Sequence, residues 1–167
     1  MAQAQPFTLR CQGVSRAMKE SGSQEILLIE DSTEDYTVAQ YILRRVTDRP
    51  IMRCRDGESA LDYLLHRGTY AEAQDDPCPA LILLDLNLPT IDGCEVLRQI
   101  KQDVRLRTIP VVVFTTSAQP HEIDVCYQLG ANSYMVKPVD FERLRYTLEL
   151  LIRYWFSVVT LPERSSP

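Results

Sequence analysis

Four times along this chain an apolar run ends on a residue that can do chemistry. EILLI runs into Glu30 and Asp31, ALILL into Asp85, IPVVVF into Thr115 and Thr116, and NSYMV into Lys137 and Pro138. A carboxylate at the end of a core strand costs several kcal/mol, on the order given for buried ions, unless it is paired. If the strand ends converge, three acids share a small space. At about 4 Å and an effective dielectric of 20, each like-charged pair repels by roughly 4 kcal/mol. Protonation relieves that, and a divalent cation relieves it better. Carboxylates with a carbonyl oxygen suit a hard ion, Mg²⁺, which keeps waters and accepts incomplete protein coordination. No His or Cys joins the set, which points away from a soft metal. Of the 18 Lys and Arg residues only three are lysines, Lys19, Lys101 and Lys137. One of them sits where an apolar strand meets a proline. An ammonium is a compact point charge suited to one oxygen. Beside a carboxylate, a hydroxyl and Mg²⁺ it completes a pocket for a tetrahedral oxyanion. The implied chemistry is phosphoryl transfer, with Asp85 as the nucleophile that becomes an acyl phosphate. Mg²⁺ and Lys137 balance charge on the transferring group, and Thr115 bonds one of its oxygens.

These residues need elements to hold them. After EILLI, Ser32 or Thr33 caps a helix with Tyr36, Val38, Ala39, Ile42, Leu43 and Val46 at a period near 3.6. IMRCR is a short strand, and Asp56-Gly57 turns into a second helix with Ala60, Leu61, Leu64 and Leu65 on one face. Residues 68–79 read as loop. ALILL is the third strand and GCEVLRQIKQ the third helix. IPVVVF is the fourth strand, PHEIDVCYQLG a helix stopped by Gly130, NSYMV the fifth strand and DFERLRYTLELLIRYWF the last helix. Five strands alternating with five helices predict an α/β domain, a parallel sheet covered on both faces. In such folds sites form outside the carboxyl ends of the strands. If the first strand lies between the second and third, all the residues above gather on one edge.

The 167 residues fit one domain, and 45% apolar composition supplies a core. A net charge of −5 argues against a general nucleic-acid surface. The five cysteines (Cys11, Cys54, Cys78, Cys94, Cys126) are odd in number and lack C-x-x-C spacing, so neither a zinc site nor a disulfide framework is indicated. That favours a reducing compartment. No signal core and no membrane-length apolar run occurs, and the expected location is cytoplasmic. Residues 1–23 are expected to form a flexible arm, 24–156 the domain and 157–167 a tail.

The set Glu30-Asp31, Asp85, Thr115 and Lys137-Pro138 resembles the receiver domain of two-component response regulators. The intervals of 30 residues from Asp85 to Thr115 and 52 to Lys137 are similar to that family's, as are the DLNLPTIDG turn and the LGANSYMVKP segment. The resemblance covers about residues 25–156. It implies the flavodoxin-like (βα)5 fold with strand order 2-1-3-4-5. It implies that Glu30, Asp31, Asp85 and the backbone carbonyl of Asn87 hold Mg²⁺, and that Asp85 takes phosphate from a histidine kinase. It implies a switch pair, Thr115 and Tyr134, in which the hydroxyl moves toward the phosphate and the ring turns inward. Glu30 stands where the commoner residue is Asp, and its longer arm would reach the metal through water. The longer 66–79 segment, the TTS after the fourth strand and the RYWFSVVTLPERSSP end resemble the stand-alone regulators that partner cyanobacterial phytochromes. Such a protein is a phosphoprotein that catalyses only its own phosphorylation and dephosphorylation, and signals through a downstream protein.

Other readings exist for the same residues. Asp85 could be a helix-entry acid, Glu30-Asp31 dipole charges, Thr116 a rival to Thr115, and Tyr134 plain core. His66 and His121 read as surface, and the cysteines as small core fillers. A receiver-like interaction module that never uses phosphate would keep the fold. A haloacid dehalogenase-type phosphohydrolase would use the aspartate and Mg²⁺, but it wants a second acid where this chain has Asn87. In the last helix, Phe141, Leu144, Leu148, Leu151 and Trp155 form the face expected against the sheet. Tyr146, Leu150 and Tyr154 form a second stripe, which predicts a homodimer unless the SVVTLP tail folds back over it.

Overall fold

The computed structural model describes residues 25–71 and 78–162. The expected arm over 1–23, residues 72–77 of the long loop and the end of the tail lie outside the described residues. Five strands form one parallel sheet: β1 Ile26–Ile29, β2 Ile51–Cys54, β3 Leu81–Leu84, β4 Val111–Thr115 and β5 Ser133–Val136. Their order is β2-β1-β3-β4-β5, the order the receiver resemblance implies, with Leu28 opposite both Arg53 and Leu83 and Val113 opposite Tyr134. The helices are α1 Thr33–Val46, α2 Gly57–Leu64, α3 Gly93–Gln102, α4 Pro120–Gln128 and α5 Phe141–Arg153.

Side chains alternate across a strand, so each central strand must supply apolar residues to two faces. Leu27, Ile29, Ile82, Leu84, Val111 and Val113 join a core under α2, α3 and α4. The alternate residues Ile26, Leu28, Leu81, Leu83, Val112 and Phe114 join a second core under α1 and α5. That explains the unbroken apolar runs. α4 is held least: of its residues only Cys126 is fully buried.

Ser32, not Thr33, caps α1, its hydroxyl accepting from the Asp35 N–H at 3.1 Å. Within the stretch expected as loop, Gly68–Tyr70 forms a turn of 3₁₀-helix. His66 is half-buried rather than on the surface, with Nδ1 shut away from solvent; His121 is exposed as expected. Cys54 and Cys126 are buried, Cys78 and Cys94 partly so. α5 ends at Arg153 and continues as a π-helical turn, Tyr154–Val158, instead of running regularly to Phe156. Leu148, Leu151, Ile152 and Trp155 are buried. Phe141, expected on that face, is instead 44% exposed, in the first turn of α5. The stripe Tyr146, Leu150 and Tyr154 is open to solvent. Phe156 and the tail residues Val159 and Leu161 pack on the α1–α5 core, and Phe156 lies under the Arg49 guanidinium at 3.9 Å. The tail therefore leaves the stripe uncovered among the described residues. Tyr154 meets the Trp155 ring edge-on at 5.3 Å.

Candidate functional site at the carboxyl edge of the sheet

The strand parity that builds the two cores also aims the polar residues. Continuing 26-28-30, 81-83-85 and 133-135-137 puts Glu30, Asp85 and Lys137 on the α1–α5 side. Their side chains meet there. Lys137 Nζ lies 2.6 Å from Glu30 Oε2 and 2.6 Å from Asp85 Oδ2, and all three side chains are 8% exposed or less. A third carboxylate, Asp35 Oδ2, accepts from Nζ at 2.9 Å. Glu30, Asp31 and Asp85 each offer an oxygen within 4.8 Å of the others. Beneath them a cavity of about 430 Å³ is lined by Leu28, Val38, Ala39, Leu83 and Phe114 and opens past Val139.

Burial is the largest influence on Glu30 and holds its pKa above the usual carboxylate value; the Lys137 ammonium offsets only part of that. For Lys137, burial pulls downward, but the hydrogen bonds and charges of Asp85 and Glu30 outweigh it and its pKa is raised. The lysine is a cation at any physiological pH.

Local hydrogen bonds fix the acids. Glu30 Oε1 accepts from the Ser32 N–H at 3.2 Å and Asp85 Oδ1 from the Asn87 N–H at 3.1 Å. Gly93 lets α3 start against the end of β3: a Cβ there would lie 2.4 Å from the Asp85 carbonyl oxygen. Asn87 Nδ2 donates to Thr115 Oγ1 at 3.4 Å and Thr116 Oγ1 at 3.3 Å, so the rival threonines share one amide. Thr115 is fully buried and also accepts from the Ser117 N–H at 3.4 Å. Tyr134 lies on the α2–α3–α4 side, with its hydroxyl donating to the Ser117 carbonyl at 3.1 Å.

Sequence reasoning missed Asp35, Arg53 and the Asn87 side chain. Asp35 had a signal. Ser32-Thr-Glu-Asp35 has the spacing of a capping box, whose last acid points back toward the helix start. Here Glu30 takes the Ser32 N–H, and Asp35 turns to Lys137 instead.

The donor set is all hard oxygen and carries excess negative charge, which fits a divalent cation of the Mg²⁺ or Mn²⁺ kind. The Asp85 carboxylate thus takes the Lys137 ammonium at 2.6 Å, while the buried Thr115 hydroxyl is joined to the same strand edge through Asn87. The family model for the response regulator receiver domain matches residues 26–149.

The chain belongs to the response regulator receiver family.

Among curated relatives of this receiver, response regulator Rcp1 of Synechocystis sp. is 41% identical over 138 residues, covering 82% of this chain and 92% of Rcp1. The probable methanogenesis regulatory protein FilR2 of Methanothrix harundinacea is 44% identical over 133 residues, 78% of this chain and 82% of FilR2. The phosphorylated cyanobacterial phytochrome response regulator RcpA superposes with a TM-score of 0.79 at 39% identity, covering 85% of this receiver and all of RcpA. The Mn²⁺-bound form of Rcp1 superposes at 0.77, covering 83% of this receiver and 99% of Rcp1. This receiver is thus related to phytochrome response regulators, and both the fold and the strand order match. No described helix is long and apolar enough to cross a membrane.

Proposed function

We propose that this receiver is a phosphoacceptor switch of a cytoplasmic two-component pathway, loaded on Asp85 by a histidine kinase of the phytochrome type. The observation that carries the reading is the convergence of Asp85, Glu30 and Lys137 through two contacts of 2.6 Å, with Asp31 completing the acidic set. Mg²⁺, when bound by Asp31, Asp85, the Asn87 carbonyl and, through water, Glu30, supplies charge neutralisation for the incoming phosphoryl oxygens. Asp85 attacks phosphorus as the donor's P–N bond breaks, leaving an aspartyl phosphate. Lys137 balances the charge that reaches the carboxylate, and Thr115 donates to a phosphoryl oxygen. As Thr115 leaves Asn87 and the Ser117 N–H, Tyr134 loses its hold on Ser117 and turns inward. That biases the surface of α4, β5 and α5 between two states. The exposed stripe Tyr146, Leu150 and Tyr154 makes a homodimer through α5, and the message passes to a downstream protein. Phosphorylation and hydrolysis of its own Asp85 are the only reactions it catalyses.

The test is incubation with acetyl phosphate and Mg²⁺, read by intact mass. Wild type gains one phosphoryl group, and Asp85→Asn gains none. Equal labelling of Asp85→Asn, or an unlabelled wild type, rejects the switch; turnover of a small phosphate ester would favour the hydrolase. Transfer from a phosphorylated phytochrome kinase but not from an unrelated histidine kinase tests the donor.

A further inference from the structure

Glu30 and Asp31 are consecutive, and in a regular strand consecutive side chains point to opposite faces. Continuing β1 would send Glu30 toward α1 and α5 and Asp31 toward the other side. Yet oxygens of both lie within 4.8 Å of each other and of Asp85. The chain must leave strand geometry between them, and something must hold it there. Arg53, on the edge strand β2, does so. Its Nε donates to the Glu30 carbonyl at 3.1 Å and its Nη2 to the Asp31 carbonyl at 2.9 Å. Successive carbonyls of a strand point in opposite directions, and here two of them converge on one planar fork. The same edge strand also holds the Glu30 amide, whose N–H donates to the Cys54 carbonyl at 3.0 Å. The fork itself is held still, stacked on the Tyr36 ring at 4.4 Å.

We infer that Arg53 is a positioning residue for the cation site: its guanidinium holds the turn that brings the Glu30 and Asp31 carboxylates to one face. The inference rests on the proposed cation-dependent function of that site. It has a sign that a pure charge effect lacks. As a mere charge, a guanidinium beside the acids repels a dication, so removing it would strengthen binding. As a fork, it organises the ligands, so removing it weakens binding. Lysine keeps the charge and most of the stem but not the paired donors.

The experiment measures free Mn²⁺ by electron paramagnetic resonance during titration of wild type, Arg53→Met and Arg53→Lys, with thermal melts of each. Both variants are expected to bind Mn²⁺ at least about fivefold more weakly, in low and high salt alike, with Arg53→Lys melting close to wild type. If Arg53→Met fails to fold, Arg53→Lys decides alone. Wild-type affinity in Arg53→Lys, or tighter binding by Arg53→Met, overturns the positioning role while leaving the cation site standing. No Mn²⁺ binding by wild type overturns the cation-dependent reading, and the role of Arg53 with it.

Discussion

At the scale of single residues, charge balance around Lys137 dominates. An ammonium has three protons, and Glu30, Asp35 and Asp85 accept all three. Removing one partner of a buried pair leaves uncompensated charge, at a cost of about 3–5 kcal/mol. Lys137→Met is therefore expected to lose that much by urea denaturation at pH 8. Because its folded pKa is raised, the lysine's contribution is fully present below 10.5 and is lost as pH rises through the folded value. The deficit shrinks in acid, where the orphaned carboxylates take up protons. Glu30 behaves oppositely. Its folded pKa lies above 4.5, so ionising it costs stability; the cost is absent below 4.5 and complete above the folded value. Glu30→Gln keeps an acceptor for Lys137 and removes the charge. We expect its melting temperature to exceed wild type at pH 8, with each kcal/mol gained worth about 2–4 °C, and the gain to vanish toward pH 4.

At the scale of elements, the central strands were legible because they are apolar on both faces, and the turns after them because Asp, Asn, Pro and Gly cluster there. Glu30, Asp85 and Lys137 could be read for the same reason: each is the first polar residue after such a run. What stayed hidden depends on contacts between distant elements. Arg53 reads as an ordinary edge-strand cation until β1 is laid beside β2. Phe141 fits the buried face of α5 by spacing alone, but it is the first residue of the helix and stays exposed. The π-helical turn after Arg153 has no local signal in YWFSV. The joint between β3 and α3 gives a further prediction. A Cβ on Gly93 would sit 2.4 Å from the Asp85 carbonyl oxygen and 2.5 Å from Leu86 Cα, both backbone atoms that cannot swing aside. Gly93→Ala should cost about 3 kcal/mol by denaturant melt, near the upper end for overpacking, and should slow labelling of Asp85 by shifting its backbone.

At the scale of the whole molecule, the sheet divides two tasks. Asp85 and Lys137 face α1 and α5, while Tyr134 lies with α2, α3 and α4. Thr115 and the shared Asn87 amide stand at the edge between them. The proposed dimer belongs to the α5 side, where a Tyr146→Glu, Leu150→Glu double variant places like charges on the stripe. Light scattering at micromolar concentration should show dimer for wild type and monomer for the variant; a monomeric wild type, with and without acetyl phosphate, counts against the interface. The edge-on contact between Tyr154 and Trp155 makes this measurable in another way. Trp155 is the chain's single tryptophan, buried on its own side and touched on the other by a tyrosine of the open stripe. Its emission colour should follow whatever settles over Tyr154, not the arrival of phosphate at the far end of the sheet. Nature has thus left an optical gauge at the seam, and dilution alone, with no dye attached, would read it.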